Sequence, residues 1–292
     1  MEEPPIITPG TSISSPKVIF LMADYGHDPT GSRPPTTHHL HLGSTDVYWC
    51  LTAYHIETAV PYTAFKKANY QIHFATENGK APRCDKKMLE GVTQKLLGAT
   101  KDVVAMYKKM QRSDGWLHPL SWTSPDFSLD PYDLVVLPGG HDKGVRQIID
   151  SETVHQLMVD YFPKTKKPGV KSVAAVCHGV MVLAESKDAT GRSVLRDCVT
   201  TALPAKFEQL AYWGTRAFLG DYYKTYGHGS ENVEESVTKV LGNPAQWKTS
   251  MNLGAFVVED EQHNYISARY PGDVEMLAEE SIKLLESFNR IV

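Results

Sequence analysis

The chain is poor in cysteine, has no long basic run, and has no apolar run that would cross a bilayer. Each absence excludes something. Four cysteines in 292 residues, Cys50, Cys84, Cys177 and Cys198, are too few and too scattered to staple a disulfide scaffold, so a reducing, cytoplasmic setting is expected. The formal net charge is -4, so neither nucleic acid nor an anionic membrane is an expected partner. A bilayer span needs about 20 consecutive apolar residues, and none occurs. The first sixteen residues, MEEPPIITPGTSISSP, are acidic and Pro/Ser-rich, without the charged-then-apolar order of a secretory signal. They read as a loose leader. The remaining 17–292 is long enough, at 41% hydrophobic residues overall, to bury one full core in a single domain.

What is present is an alternation of strand and helix signals. KVIFLMAD (17–24) is nearly all apolar, as a strand covered on both faces should be. IETAVPYTAFKKANY (56–70) has helical spacing, and QIHFATENG (71–79) is a strand ending in a turn. YDLVVLPGG (132–140) is a buried strand that runs into glycines. VRQIIDSETVHQLMVDYF (145–162) is an amphipathic helix, and KSVAAVC (171–177) a strand with a helix directly behind it. CVTTAL (198–203), AFVVED (255–260) and YISARY (265–270) are further strand candidates, and GDVEMLAEESIKLLESF (272–288) is a closing helix. This alternation predicts an α/β fold with a mostly parallel sheet and helices on both faces. Such sheets bind ligands at the carboxyl ends of their strands. Three strand ends carry unusual residues: Asp24 with His27, Gly139-Gly140-His141, and Cys177-His178-Gly179.

Cys177 sits where a strand turns straight into a helix. That junction forces a strained backbone and lifts the side chain above the sheet, the nucleophile-elbow geometry. A thiol at a helix N-terminus also meets the positive end of the dipole, which favours thiolate. Read alone, a buried cysteine is more often a small hydrophobe. The adjoining His-Gly and the second glycine turn favour chemistry instead. Amide groups of Gly139 or Gly140, with that of His178, are candidate oxyanion donors. His141, Asp24 and His27 are candidate substrate contacts.

VVLPGGH followed about 35 residues later by VAAVCHG resembles the ThiJ/PfpI superfamily, of the class I glutamine amidotransferase-like fold. The likeness runs from Lys17 to about Ser287. It implies a flavodoxin-like three-layer sandwich. The Cys-His-Gly form with a leading GHDPT resembles most the heat-shock-type chaperones that act as glutathione-independent glyoxalases. The resemblance implies that Glu57 hydrogen-bonds the Cys177 sulfur, that His178 is the basic partner, and that an acid about thirty residues later orients the histidine. Glu208 is the candidate for that acid, with Asp221 as substitute. It further implies a homodimer, a small carbonyl substrate converted from 2-oxoaldehyde to 2-hydroxy acid, and no metal or organic cofactor. A chaperone or redox sensor working through oxidation of Cys177 is the alternative, as is a hydrolase or hydratase on a larger metabolite. A glutaminase fits badly, because no His-x-Glu follows Cys177.

Two departures stand out. HDPT is separated from Glu57 by Gly31–Ile56, a polar stretch rich in Pro, Thr and His. It reads as an inserted lid, as a metal-binding cluster of His38, His39 and His41, or as a translated intron whose removal restores HDPTETAVPYTAF. A second insertion spans about 82–130. The aromatic residues Trp213, Phe218, Tyr222, Tyr223, Tyr226 and Trp247 either line a larger pocket or pack a peripheral helix.

Overall fold

The computed structural model describes residues 15–24, 53–82 and 100–288. His27, His38, His39, His41, Cys50, Cys84 and nearly all of the 31–56 insertion lie outside them.

Seven strands form one sheet: β1 (Lys17–Leu21), β2 (Gln71–Thr76), β3 (Leu120–Ser121), β4 (Leu134–Leu137), β5 (Ser172–Val176), β6 (Val257–Glu259) and β7 (Tyr265–Ala268). Their order is β3-β2-β1-β4-β5-β7-β6. All pairs are parallel except β6 with β7. β4 and β5 are buried along their whole length, which is why their sequences are continuously apolar rather than alternating.

Helices cover both faces. On one, α1 (Ala53–Lys67) packs against α2 (Lys101–Met110) and α9 (Val274–Phe288). On the other, α6 (Gly179–Glu185) packs against α4 (Arg146–Ile149), α5 (Glu152–Tyr161) and α8 (Val233–Thr238). A short α3 (Asp114–Leu117) precedes β3, and α7 (Ala205–Leu219) precedes α8.

Three local readings of the sequence change. The helix expected over 145–162 is two helices, because the Ser151 hydroxyl accepts the Val154 N–H and starts α5 afresh. CVTTAL is no strand of the sheet; Thr200 makes one isolated bridge to Trp247. The described part of the 82–130 segment adds to the sheet, with Leu120 paired to Ala75 and α2 lying on α1.

The chain leaves β1 toward β2 and β3, then returns to the other side of β1 as β4. That reversal is the switch point at which open α/β sheets hold ligands. Leu137 pairs with Ala175, so two residues further on Gly139 stands level with Cys177. The parallel register thus brings the glycine turn and the thiol to one edge.

Candidate active site

Cys177 has φ +58, in the left-handed region that disfavours a side chain. Strain of this kind costs about 1–3 kcal/mol and persists where the surroundings overdetermine it. Two glycines do so here. A Cβ on Gly179 would lie 2.1 Å from the Leu137 carbonyl oxygen, and one on Gly139 would lie 2.6 Å from the His178 nitrogen. Both glycines allow β4 and the start of α6 to touch backbone to backbone. The elbow expected from VAAVCHG is formed, with Cys177 at its apex and 2% exposed.

Glu57, from the first turns of α1, is fully buried. Its Oε2 accepts the Gly139 N–H at 2.9 Å. Burial raises its pKa well above the usual carboxylate range; the Cys177 side chain and the Gly139 amide temper this, and the charge of Asp273 adds to it. That shift favours the protonated carboxyl, which is placed to donate its proton toward sulfur. The insertion ahead of α1 leaves Glu57 in position.

His178 is equally buried, with Nδ1 3.4 Å from Cys177 Sγ. Burial, with the charge of Lys224, depresses its pKa to about 3, so the ring is neutral at pH 7. The other ring nitrogen, Nε2, meets the Thr225 hydroxyl at 3.0 Å, and that hydroxyl donates to the His141 carbonyl at 3.2 Å. Among the described residues, no acid touches the ring. Glu208 instead pairs with Lys224 at 3.0 Å and accepts the Val233 N–H at 2.9 Å, tying α7 to α8. Burial raises its pKa, against the pull of Val233 and Lys224. Asp221 pairs with Lys143. Neither takes the orienting role expected of it; Thr225 stands in that place. Nothing in the local sequence marks Thr225, which lies 47 residues from His178 in a segment read as aromatic packing.

The strand-end residues divide. The Gly139 N–H is committed to Glu57 and is not available to an oxyanion. Gly140, at φ +116, and His178 keep backbone N–H groups with no hydrogen-bond partner among the described residues. His141 is buried, its ring 4.7 Å from that of Tyr222 and 4.4 Å from that of Tyr223. Asp24 is a structural lock. Its Oδ1 accepts from Gln147 Nε2 at 2.7 Å and its Oδ2 from Asn78, so β1, the turn after β2 and α4 are fastened together. Of the aromatic candidates with described side chains, Tyr222 and Tyr223 reach the site residue His141. Trp213 is 63% exposed, Tyr226 is 38% exposed, Trp247 packs beside Thr200, and the side chain of Phe218 lies outside the described residues.

The comparisons with known proteins agree with this architecture. An uncharacterised protein of Schizosaccharomyces pombe is 27% identical over 228 residues, 78% of each chain. A second uncharacterised protein of that yeast is 20% identical over 75% of this chain and 70% of its own. Among solved structures, the 24 kDa rapid encystment protein of Francisella tularensis superposes with a TM-score of 0.59 at 16% identity, over 92% of this chain and 99% of its own. Glyoxalase III of Candida albicans gives 0.57 at 15% identity, over 92% and 97%. These structural likenesses speak to the fold. A model described as ThiJ/PfpI family-like matches residues 52–248, from just before α1 to beyond α8. The chain belongs to that ThiJ/PfpI-like family.

Proposed function

We propose that the protein is a cofactor-independent, cysteine-dependent enzyme that converts small 2-oxoaldehydes to 2-hydroxy acids. The observation carrying this reading is the convergence of a strained backbone, a neutral buried imidazole and a buried carboxyl of raised pKa on one sulfur. Family membership and the fold shared with a glyoxalase III support it. Cys177 Sγ adds to the aldehyde carbon while its proton passes to His178 Nδ1. The new alkoxide is held by the amides of Gly140 and His178 and then takes up a proton, giving a hemithioacetal. His178 takes the hydrogen on that carbon as a proton and returns it to the neighbouring carbon, while Glu57 gives its proton to the neighbouring carbonyl oxygen and takes one back from the hydroxyl. The hemithioacetal thereby isomerises to the thioester of a 2-hydroxy acid. Water hydrolyses the thioester, releasing the acid and restoring the thiol. His141, with Tyr222 and Tyr223, forms the adjoining wall and limits substrate size. The working form is a homodimer in the cytoplasm.

The test is turnover of methylglyoxal, glyoxal and bulkier aldehydes by the protein and by Cys177→Ala, with the hydroxy acid assayed. Release that depends on Cys177 is expected. If no aldehyde is consumed in a Cys177-dependent way, the enzymatic reading fails. The same carboxyl, held toward its protonated form beside the sulfur, also suits a sulfinate, whose oxygen would accept its proton, so a redox sensor is the second reading. Peroxide would then oxidise Cys177 selectively in a protein that turns over no aldehyde.

A further inference from the structure

The orienting group for His178 is a hydroxyl where an acid is expected. A hydroxyl has one proton to give. The Thr225 oxygen lies 3.2 Å from the His141 carbonyl oxygen and 3.0 Å from His178 Nε2. If Thr225 gave its proton to Nε2, its oxygen would face a carbonyl oxygen at hydrogen-bond distance with no hydrogen between them. With the proton on the carbonyl side, the hydroxyl accepts, and Nε2 must carry hydrogen. The lone pair of Nδ1 then points to Cys177 Sγ at 3.4 Å.

We propose that Thr225 is a positioning residue that fixes the Nε2–H tautomer of His178 and keeps Cys177 and His178 as a neutral thiol–imidazole pair. An acid at Nε2 would stabilise imidazolium and with it a thiolate; a hydroxyl supplies no charge. The charged and titratable groups around the pair agree. Glu57 from α1 is held toward its protonated form by burial, with the charge of Asp273 before α9 adding to that. Lys224, beside Thr225, disfavours a positive ring, and its partner Glu208 is turned away toward Val233. His141 presents its carbonyl through Thr225. The buried Glu208–Lys224 pair serves to hold the loop that carries Thr225.

This inference deepens the proposed function, but its test uses no aldehyde. The ring 15N shifts of His178 report the tautomer at pH 7. Alkylation of Cys177 by iodoacetamide between pH 5 and 9, read by mass spectrometry, reports thiolate. In the wild type Nε2 should carry the hydrogen, and alkylation should rise about tenfold per pH unit below the thiol pKa, without a plateau at pH 5. Thr225→Val should mix the tautomers and Thr225→Ser should restore the wild-type shifts. Thr225→Asp should speed alkylation at pH 6 at least tenfold. Hydrogen on Nδ1 in the wild type, a thiolate plateau at pH 5, or unchanged shifts in Thr225→Val would overturn the proposal. The wild-type measurements decide it even if a variant does not fold. Absence of aldehyde turnover beside the expected shifts would sink the enzymatic reading alone.

Discussion

Among the described residues are two buried cysteines, each beside an imidazole and a carboxyl, and they are built for opposite ends. Cys198 is 1% exposed, with its sulfur 3.7 Å from His263 Nδ1, which in turn is 3.3 Å from Asp260 Oδ2. Residue types match those around Cys177; geometry and charge do not. Thiol and carboxylate of the second cluster share a single ring nitrogen, so the ring offers no through-ring path for a proton. At Cys177 the sulfur holds Nδ1 and a hydroxyl holds Nε2. Burial works against the charge of Asp260, yet hydrogen bonds from His263 and the backbone amides of Val199, His263 and Gln262 hold its pKa below the usual range. It is an ionised turn clasp, whereas burial drives Glu57 toward its protonated form. Burial pushes the Cys198 thiol well up, with Asp260 and Asp197 adding to the effect. By residue type this second cluster would suit a metal ion. The Asp260 oxygens, however, already serve three backbone amides. A thiol, an imidazole and an acid in contact do not define an active site. Division of the ring nitrogens and a strained backbone under the sulfur mark the difference.

The comparison can be broken in four ways. Cys177→Ala should lower aldehyde turnover at least about 10³-fold, while Cys198→Ala leaves it within about twofold. Equal losses, measured as kcat/KM, would erase the distinction. Glu57→Gln keeps an acceptor for the Gly139 amide but has no transferable proton. A loss in kcat of about 10²–10⁴-fold is expected, with the alkylation of Cys177 still selective over Cys198 by peptide mass spectrometry. Asp260→Asn should act on stability alone. Loss of charge-assisted bonds to backbone amides costs about 1–3 kcal/mol, or about 2–4 °C in Tm per kcal/mol for a chain this long, with turnover unchanged.

The smallest effect is in the pH dependence of unfolding. Glu57 has a folded-state pKa raised above its ordinary 4.5, so its contribution is complete below about pH 4.5 and is lost as pH rises through the raised value. His178 has the reverse sign. Its pKa falls from 6.5 to about 3, so its contribution is complete above pH 6.5 and fades toward pH 3. The Tm of Glu57→Gln relative to wild type should therefore increase from pH 4 to pH 8. A difference that is flat with pH would show that Glu57 is ionised in the folded protein.

Legibility followed range along the chain. The parallel sheet, the apolar β4 and β5, and the elbow at Cys177 were readable because each depends on neighbours within a few residues. Glu57 came from the family resemblance. The readings that changed all concerned partners. Asp24 looked like a substrate contact because it ends β1, but Gln147 and Asn78, more than fifty residues away, take its oxygens. Gly139 looked like an oxyanion donor until Glu57 claimed its amide. Glu208 sat at the expected spacing, yet helix α7 aims it at Lys224 and the start of α8.

By itself the sequence determined that a thiol would stand on a strained turn. A strand running directly into a helix through Cys-His-Gly has no other way to continue, and the packing needs glycine where a Cβ would strike a carbonyl. Only the tertiary structure decided what surrounds that thiol. Each polar atom near it was settled by whichever donor or acceptor the fold delivered, Thr225 for His178, Gly139 for Glu57, Lys224 for Glu208. Hydrogen bonds are short and directional, and such pairings are fixed by how distant elements are set against one another rather than by their spacing along the chain.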